Sequence, residues 1–240
     1  MELYGFVLVI FAASILQGIT GFGSALIAAP LALLFIDKTT NVLSLTFVSV
    51  ALNGFLLWKI RHSISRSLFG FLFVSSLVGL PIGLAILKVA DIQTLRIVAG
   101  SLSILFAALL YLKFIKISQS RFLTILSGGL AGILHTSISM SGPPVVLLVA
   151  GQDINKDEAR RTFAAFFLAM SLISIALFAA SQSLTIKGIA FGICGIPAAF
   201  LGAYVGNKIA NTVSHKQYTT LTFLLVCITG ILAIYSGLRR

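Results

Sequence analysis

Long apolar runs alternate with short polar links along the whole chain, and this alternation sets the frame for every other reading. Eight apolar segments stand out, at residues 3–36, 41–60, 68–87, 92–112, 122–151, 160–180, 186–209 and 217–237. A helix needs roughly 20 mostly apolar residues to cross a bilayer, and runs of this length read as helices rather than strands. No stretch remains for a water-soluble domain. The pattern predicts an all-α polytopic membrane protein, a single transmembrane domain over residues 1–240.

The longest polar link, Lys113 to Ser120, falls near the midpoint and suggests a duplication. Shifting the sequence by 114 positions aligns Gly18-Ile19 with Gly132-Ile133, Pro30 with Pro144, Leu33-Leu34 with Leu147-Leu148 and Asn41 with Asn155. Gly79-Leu80-Pro81 in the third segment resembles Gly195-Ile196-Pro197 in the seventh. Leucine matches are cheap in apolar sequence, so the Gly and Pro matches carry the case. The expectation is two four-segment repeats, residues 1–116 and 117–240, of the kind that builds many transporters.

The first segment of each repeat is too long or too broken for one straight helix. Residues 3–36 as a helix would extend roughly 51 Å, against a hydrocarbon core of about 30 Å. Their centre, Gly18-Ile19-Thr20-Gly21-Phe22-Gly23-Ser24, is rich in glycine and hydroxyls, a composition that leaves helical geometry. The counterpart is His135-Thr136-Ser137-Ile138-Ser139-Met140-Ser141-Gly142-Pro143-Pro144, where the double proline is expected to end one helix and start another. Each first segment is therefore read as a broken or re-entrant helix.

Charge adds topology. Only 10% of residues are charged, yet the net charge is +11. The basic residues do not form one nucleic-acid patch; they stand at segment ends, where they set orientation and meet lipid headgroups. If both broken segments cross, nine Lys/Arg fall on the side of residues 59–66 and eight on the other. If both are hairpins, the repeats are inverted, the division becomes eleven against six, and the C-terminus lies outside. The positive-inside rule favours the inverted version. Met1-Glu2-Leu3 lacks a basic leader, so the first segment is expected in the mature chain.

Non-helical backbone at membrane depth survives only inside protein or along a wet cavity. Two matched breaks therefore mark the substrate site, and their chemistry suits an anion. A helix that restarts in mid-membrane aims free N–H groups and the positive end of its dipole at the break. Ser24 and Ser141 occupy expected N-cap positions, Thr20, Thr136, Ser137 and Ser139 add donors, and Gly21, Gly23 and Gly142 allow close approach. All six acids lie at segment ends or in links, so none competes there. His135 could bind the anion, take a coupling proton, or satisfy freed carbonyls; Asn53 could reach the cavity or join two helices by a hydrogen bond. Gly79/Gly83 and Gly202/Gly206 read as packing notches, and Asn155 with Glu158 as a capping box. The alternative for the breaks is that small residues there only let helices pack closely.

At these residues the chain resembles the TauE/SafE sulfite-exporter family. The resemblance rests on the Gly18–Ser24 break running to Pro30, its echo ending Ser141-Gly142-Pro143-Pro144, and the Gly-Leu-Pro/Gly-Ile-Pro pair, and it covers essentially the whole chain. It implies secondary transport of sulfite, sulfonates or related organic anions at a cell membrane of the bacterial inner-membrane type. The family's second motif is often richer in glycine, whereas His135 and several serines stand here. The partners expected are membrane lipid, the anion and a coupling proton or ion, with no cofactor, metal or nucleic acid and no oligomeric state specified. An anion channel would leave the same sequence traces. A thiol–disulfide electron conductor would need Cys194 and Cys227 to exchange electrons, but neither belongs to a Cys-x-x-Cys pair. No metal cluster, nucleophile motif or paired carboxylate suggests an enzyme.

Overall fold

The computed structural model describes residues 1–20, 24–59, 63–112, 120–150, 156–209 and 215–239. They form the helices α1 (Glu2–Thr20), α2 (Ser24–Ala32), α3 (Lys38–Lys59), α4 (Arg66–Val89), α5 (Ile92–Leu112), α6 (Arg121–Ile138), α7 (Gly142–Ala150), α8 (Lys156–Ala180), α9 (Ile186–Ile209) and α10 (His215–Leu238), with no strand among the described residues. Five are long and apolar enough to cross a bilayer: α3, α4, α5 over Ile92–Leu109, α8 over Glu158–Ala180, and α9. Glu2–Gly18 and Thr222–Leu238 are shorter apolar stretches. The apolar segment at 3–36 contains α1 and α2, and that at 122–151 contains α6 and α7.

The sequence expectation for the second break needs correction. Pro143 and Pro144 do not end α6; they lie in the first turn of α7, where a missing N–H has no helical partner to lose. What stops α6 is Ser139, in the left-handed region at φ 59°, with its N–H turned back to the His135 carbonyl and that of Met140 to Leu134. Pro81 and Pro197 lie inside α4 and α9, which continue through them.

Glycine brings two helix pairs into backbone contact. On α9, a Cβ at Gly202 or Gly206 would overlap the carbonyl oxygen of Phe11 or Ile15 on α1, while Gly195 rests on Phe6. On α4, a Cβ at Gly79 or Gly83 would meet the carbonyl oxygen of Gly129 or Ile133 on α6. Residue numbers rise together along each pair, so α1 runs parallel to α9 and α6 parallel to α4. Close approach through small residues replaces the hydrophobic drive that is absent between helices in lipid. Around these pairs, α5 packs on α10, and α3 packs on α8 and α9.

Polar contacts define the two ends of the bundle. Lys187 pairs with Glu2 at 2.9 Å and with Asp37 at 3.6 Å, so the start of α1, the chain after α2 and the start of α9 meet at one end. There Lys88 donates to the Ser181 carbonyl at 3.1 Å, and Lys38 to the carbonyls of Lys88 and Ala90. Gly237, near the end of α10, rests on Gln93 and Arg96 of α5 at the same end. At the opposite end the Ser65 N–H donates to the Thr162 hydroxyl at 3.0 Å, joining the starts of α4 and α8.

Candidate functional site

Depth is set first by how α2 is held. Pro30 has no N–H, so the Leu26 carbonyl four residues earlier loses its helical donor. Ser103, in the middle of α5, donates to that carbonyl at 3.1 Å and fixes the start of α2 midway along the bundle. The other end of α2 is fixed by Arg96, whose Nε and Nη2 donate to the carbonyls of Leu33 at 2.7 Å and Leu34 at 3.3 Å. A cation at the carbonyl end also suits the helix dipole.

A cavity of about 90 Å³ lies where the start of α2 and the α6–α7 turn face α1, α3 and α8. Of the residues singled out from sequence, Ser24, Asn53, His135, Ser139, Ser141 and Gly142 line it. Thr136 and Ser137 do not. The Thr136 hydroxyl donates to the Leu80 carbonyl at 2.7 Å, tying α6 to α4, and the Ser137 hydroxyl donates to the Ile133 carbonyl at 2.6 Å within α6. Gly21 and Gly23 lie outside the described residues, as does Asn155 of the expected capping box; of Thr20 only its place at the end of α1 is described.

The lining side chains divide into satisfied and available groups. Asn53 donates to the Ser49 carbonyl at 2.8 Å and to the Ser49 hydroxyl at 2.9 Å, within its own helix. Of the two roles the sequence leaves open for Asn53, it reaches the cavity, while a link between α3 and α8 is made by Ser171, which donates to the Ser49 hydroxyl at 3.0 Å. Ser139 donates to the Val42 carbonyl at 3.3 Å. His135 is 3% exposed; its Nδ1 is 3.2 Å from the Ser141 hydroxyl, and its Nε2 is buried with no hydrogen-bond partner. If Ser141 donates to Nδ1, Nε2 carries the proton and is a free donor in the cavity wall. Ser141 is thus bonded to His135, and Ser24 is the first described residue of α2.

The two helix starts are not equivalent. The described part of α2 begins Ser24-Ala25-Leu26-Ile27, each residue with an N–H to offer, whereas Pro143 and Pro144 leave the first turn of α7 only those of Gly142 and Val145. A Cβ added at Gly142 meets nothing within 4 Å.

Four polar lining residues escaped the sequence reading: Ser14, Gln17, Ser49 and Arg160. In the sequence Arg160 is one of the basic residues at segment ends; in the structure it lies in the second turn of α8 and lines the cavity. Its Nε and the Oε1 of Gln17 are buried without partners. Gln17, an amide side chain directly before the first break, was the signal that could have been taken up. Among the described residues no Asp or Glu lines the cavity, and no His/Cys/Asp/Glu cluster could hold a metal. Cys194 and Cys227 are free; the first is exposed on α9, the second is on α10.

The family described as Sulfite exporter TauE/SafE matches residues 6–233. No curated protein and no solved structure matches the chain. Together with five helices able to cross a bilayer, the family match makes this a multi-pass membrane protein of a transporter family.

Proposed function

Because the chain belongs to the TauE/SafE sulfite exporter family, we propose that it is a secondary transporter of a small anion such as sulfite or a sulfonate, bound in the cavity between the two helix starts. One observation carries the reading: the cavity gathers two helix N-termini, the guanidinium of Arg160 and the unpaired Nε2 of His135, and no described carboxylate lines it. Free N–H groups, a positive dipole end and a guanidinium all favour an oxyanion, and each would repel or ignore a simple cation.

The architecture is proposed to be two inverted repeats, residues 1–116 and 117–240, each opening with a re-entrant helix pair. Three observations support this. Glu2 and Asp37 share Lys187, which puts both ends of α1–α2 at one end of the bundle. The packing of α1 on α9 is answered by that of α6 on α4, which is what exchange of the repeats requires. Among the described residues the Arg160 end carries the larger share of Lys/Arg, which supports its being the cytoplasmic one, at a cell membrane of the bacterial inner-membrane type. The test is thermal stabilisation of the purified protein by sulfite, sulfate, sulfonates, carboxylates and neutral analogues. Stabilisation by one or more anions, lost in Arg160→Gln, is the expected result; equal shifts with neutral analogues would contradict it.

A further inference from the structure

A second, larger cavity of about 400 Å³ adjoins the first towards the Arg160 end. The two share Gln17, Leu52, Leu56 and Arg160 in their walls. Otherwise they differ in kind. The inner one is small and ringed by hydroxyls, whereas the outer one is walled by Phe55, Phe200 and Tyr204, with Lys59 and Asn207 beside them. Phe55 and Phe200 meet edge to face at 5.3 Å between centroids, and the Lys208 ammonium is 5.1 Å from the centre of the Tyr204 ring. No Asp or Glu lines this cavity among the described residues.

A few hundred cubic ångströms of apolar wall with a few convergent polar groups is the usual form of a site for a compact organic molecule, and the polar groups here specify its charge. We infer that the outer cavity binds an organic anion with an apolar body, its ring system against Phe55, Phe200 and Tyr204 and its carboxylate or sulfonate at Lys59 and Arg160. Arg160 belongs to both cavities, so an anionic head held there closes the way to the inner one. The occupant blocks the small-anion path. That consequence rests on the transport reading above, whereas the binding itself does not.

The test uses the full chain and 1-naphthoate as probe, with 1-naphthalenemethanol as neutral control. Binding is read as thermal stabilisation in nanodiscs, and block as inhibition of sulfite flux in proteoliposomes. The charged probe should act at a concentration about tenfold below that of the alcohol, one factor of ten corresponding to one contributing charge contact. Tyr204→Ala and Phe200→Ala should raise the half-inhibitory concentration by about fivefold, the scale of one lost aromatic contact, while uninhibited flux stays near the wild-type rate. Tyr204 is 61% exposed, so its variant keeps the test open if Phe200→Ala fails to fold. Equal potency of acid and alcohol, or unchanged potency in a folded Tyr204→Ala, overturns the inference. So does binding that vanishes when anionic lipid is added, which would make the cavity a headgroup site. Flux without block sinks this inference alone; stabilisation by 1-naphthoate with no anion flux at all sinks the transport reading and leaves the second site standing.

Discussion

Ser103 is the smallest part with the clearest job. Its hydroxyl answers the buried Leu26 carbonyl that Pro30 leaves without a donor. Ser103→Ala should therefore lower stability by about 1 kcal/mol, since a buried carbonyl left unpaired costs about 1–3 kcal/mol and membrane partners recover part of it; the unfolding midpoint in detergent measures this. Arg160 is placed to bind rather than to support. Arg160→Gln should weaken anion binding by about 1.5–3 kcal/mol, the scale of a hydrogen bond to a charged group, with little change in ligand-free stability, as titration calorimetry can show. Asp37 gives a pH signature. Burial pushes its carboxyl up, but the hydrogen bonds from Thr40 and the charge of Lys187 outweigh that and hold it below the ordinary value. A depressed carboxylate adds stability above about pH 4 and loses it as pH falls through the folded value. Asp37→Asn should thus be less stable than wild type at pH 7, and the gap should close on acidification below pH 4. At this scale the sequence revealed the hydroxyls and His135 but not their partners. Thr136 and Ser137 look like donors for a ligand on paper, yet each finds a carbonyl, and only the path of the backbone decides between the two.

Helices are where the sequence was most readable. Apolar length placed α3, α4, α5, α8, α9 and α10 to within a few residues, because spanning a bilayer leaves little freedom in length. The place of the second break is legible in the sequence but its cause is not: proline is visible there, whereas the left-handed Ser139 that ends α6 is not. The notch glycines show what packing demands. Gly206→Leu and Gly83→Leu should uncouple α1 from α9 and α6 from α4, with loss of folded yield, since each new side chain would start inside a neighbouring carbonyl. Gly54→Ala and Gly70→Ala provide the contrast, because nothing lies within 4 Å of an added Cβ at either position. They should be neutral or stabilising by up to about 1 kcal/mol through helix propensity. Fluorescence-detected size-exclusion of the four variants separates the two classes. Cys194→Ser with Cys227→Ser should leave transport intact, as α9 packs on α1 and α3 while α10 packs on α5 and α2.

Across the whole molecule, the proposed pair of re-entrant helices would bring its two starts to one small cavity, lined by Ser24 and Gly142, which adjoins a larger aromatic one. In the sequence the hairpin topology rests on segment length, the composition of the breaks and the charge balance; the Lys187 pairs with Glu2 and Asp37 support it independently. Arg160 was beyond sequence reading for the same reason, since its role comes from α8 lying across the cavity mouth. Impermeant cysteine labelling in intact cells should find residues 181–185 and the C-terminus on the outer side and residues 63–65 on the inner. The most direct test of the central claim is anion flux in proteoliposomes containing Ser24→Asp or Gly142→Asp. Both positions line the cavity, and an Asp at either would set a negative charge where the anion must rest; Ser141 is less suitable because its hydroxyl is already bonded to His135. Sulfite flux should fall to background in both folded variants and persist in Lys88→Gln at the far end. Normal flux through both Asp variants would contradict the account and leave the serines and glycines of the breaks as packing alone.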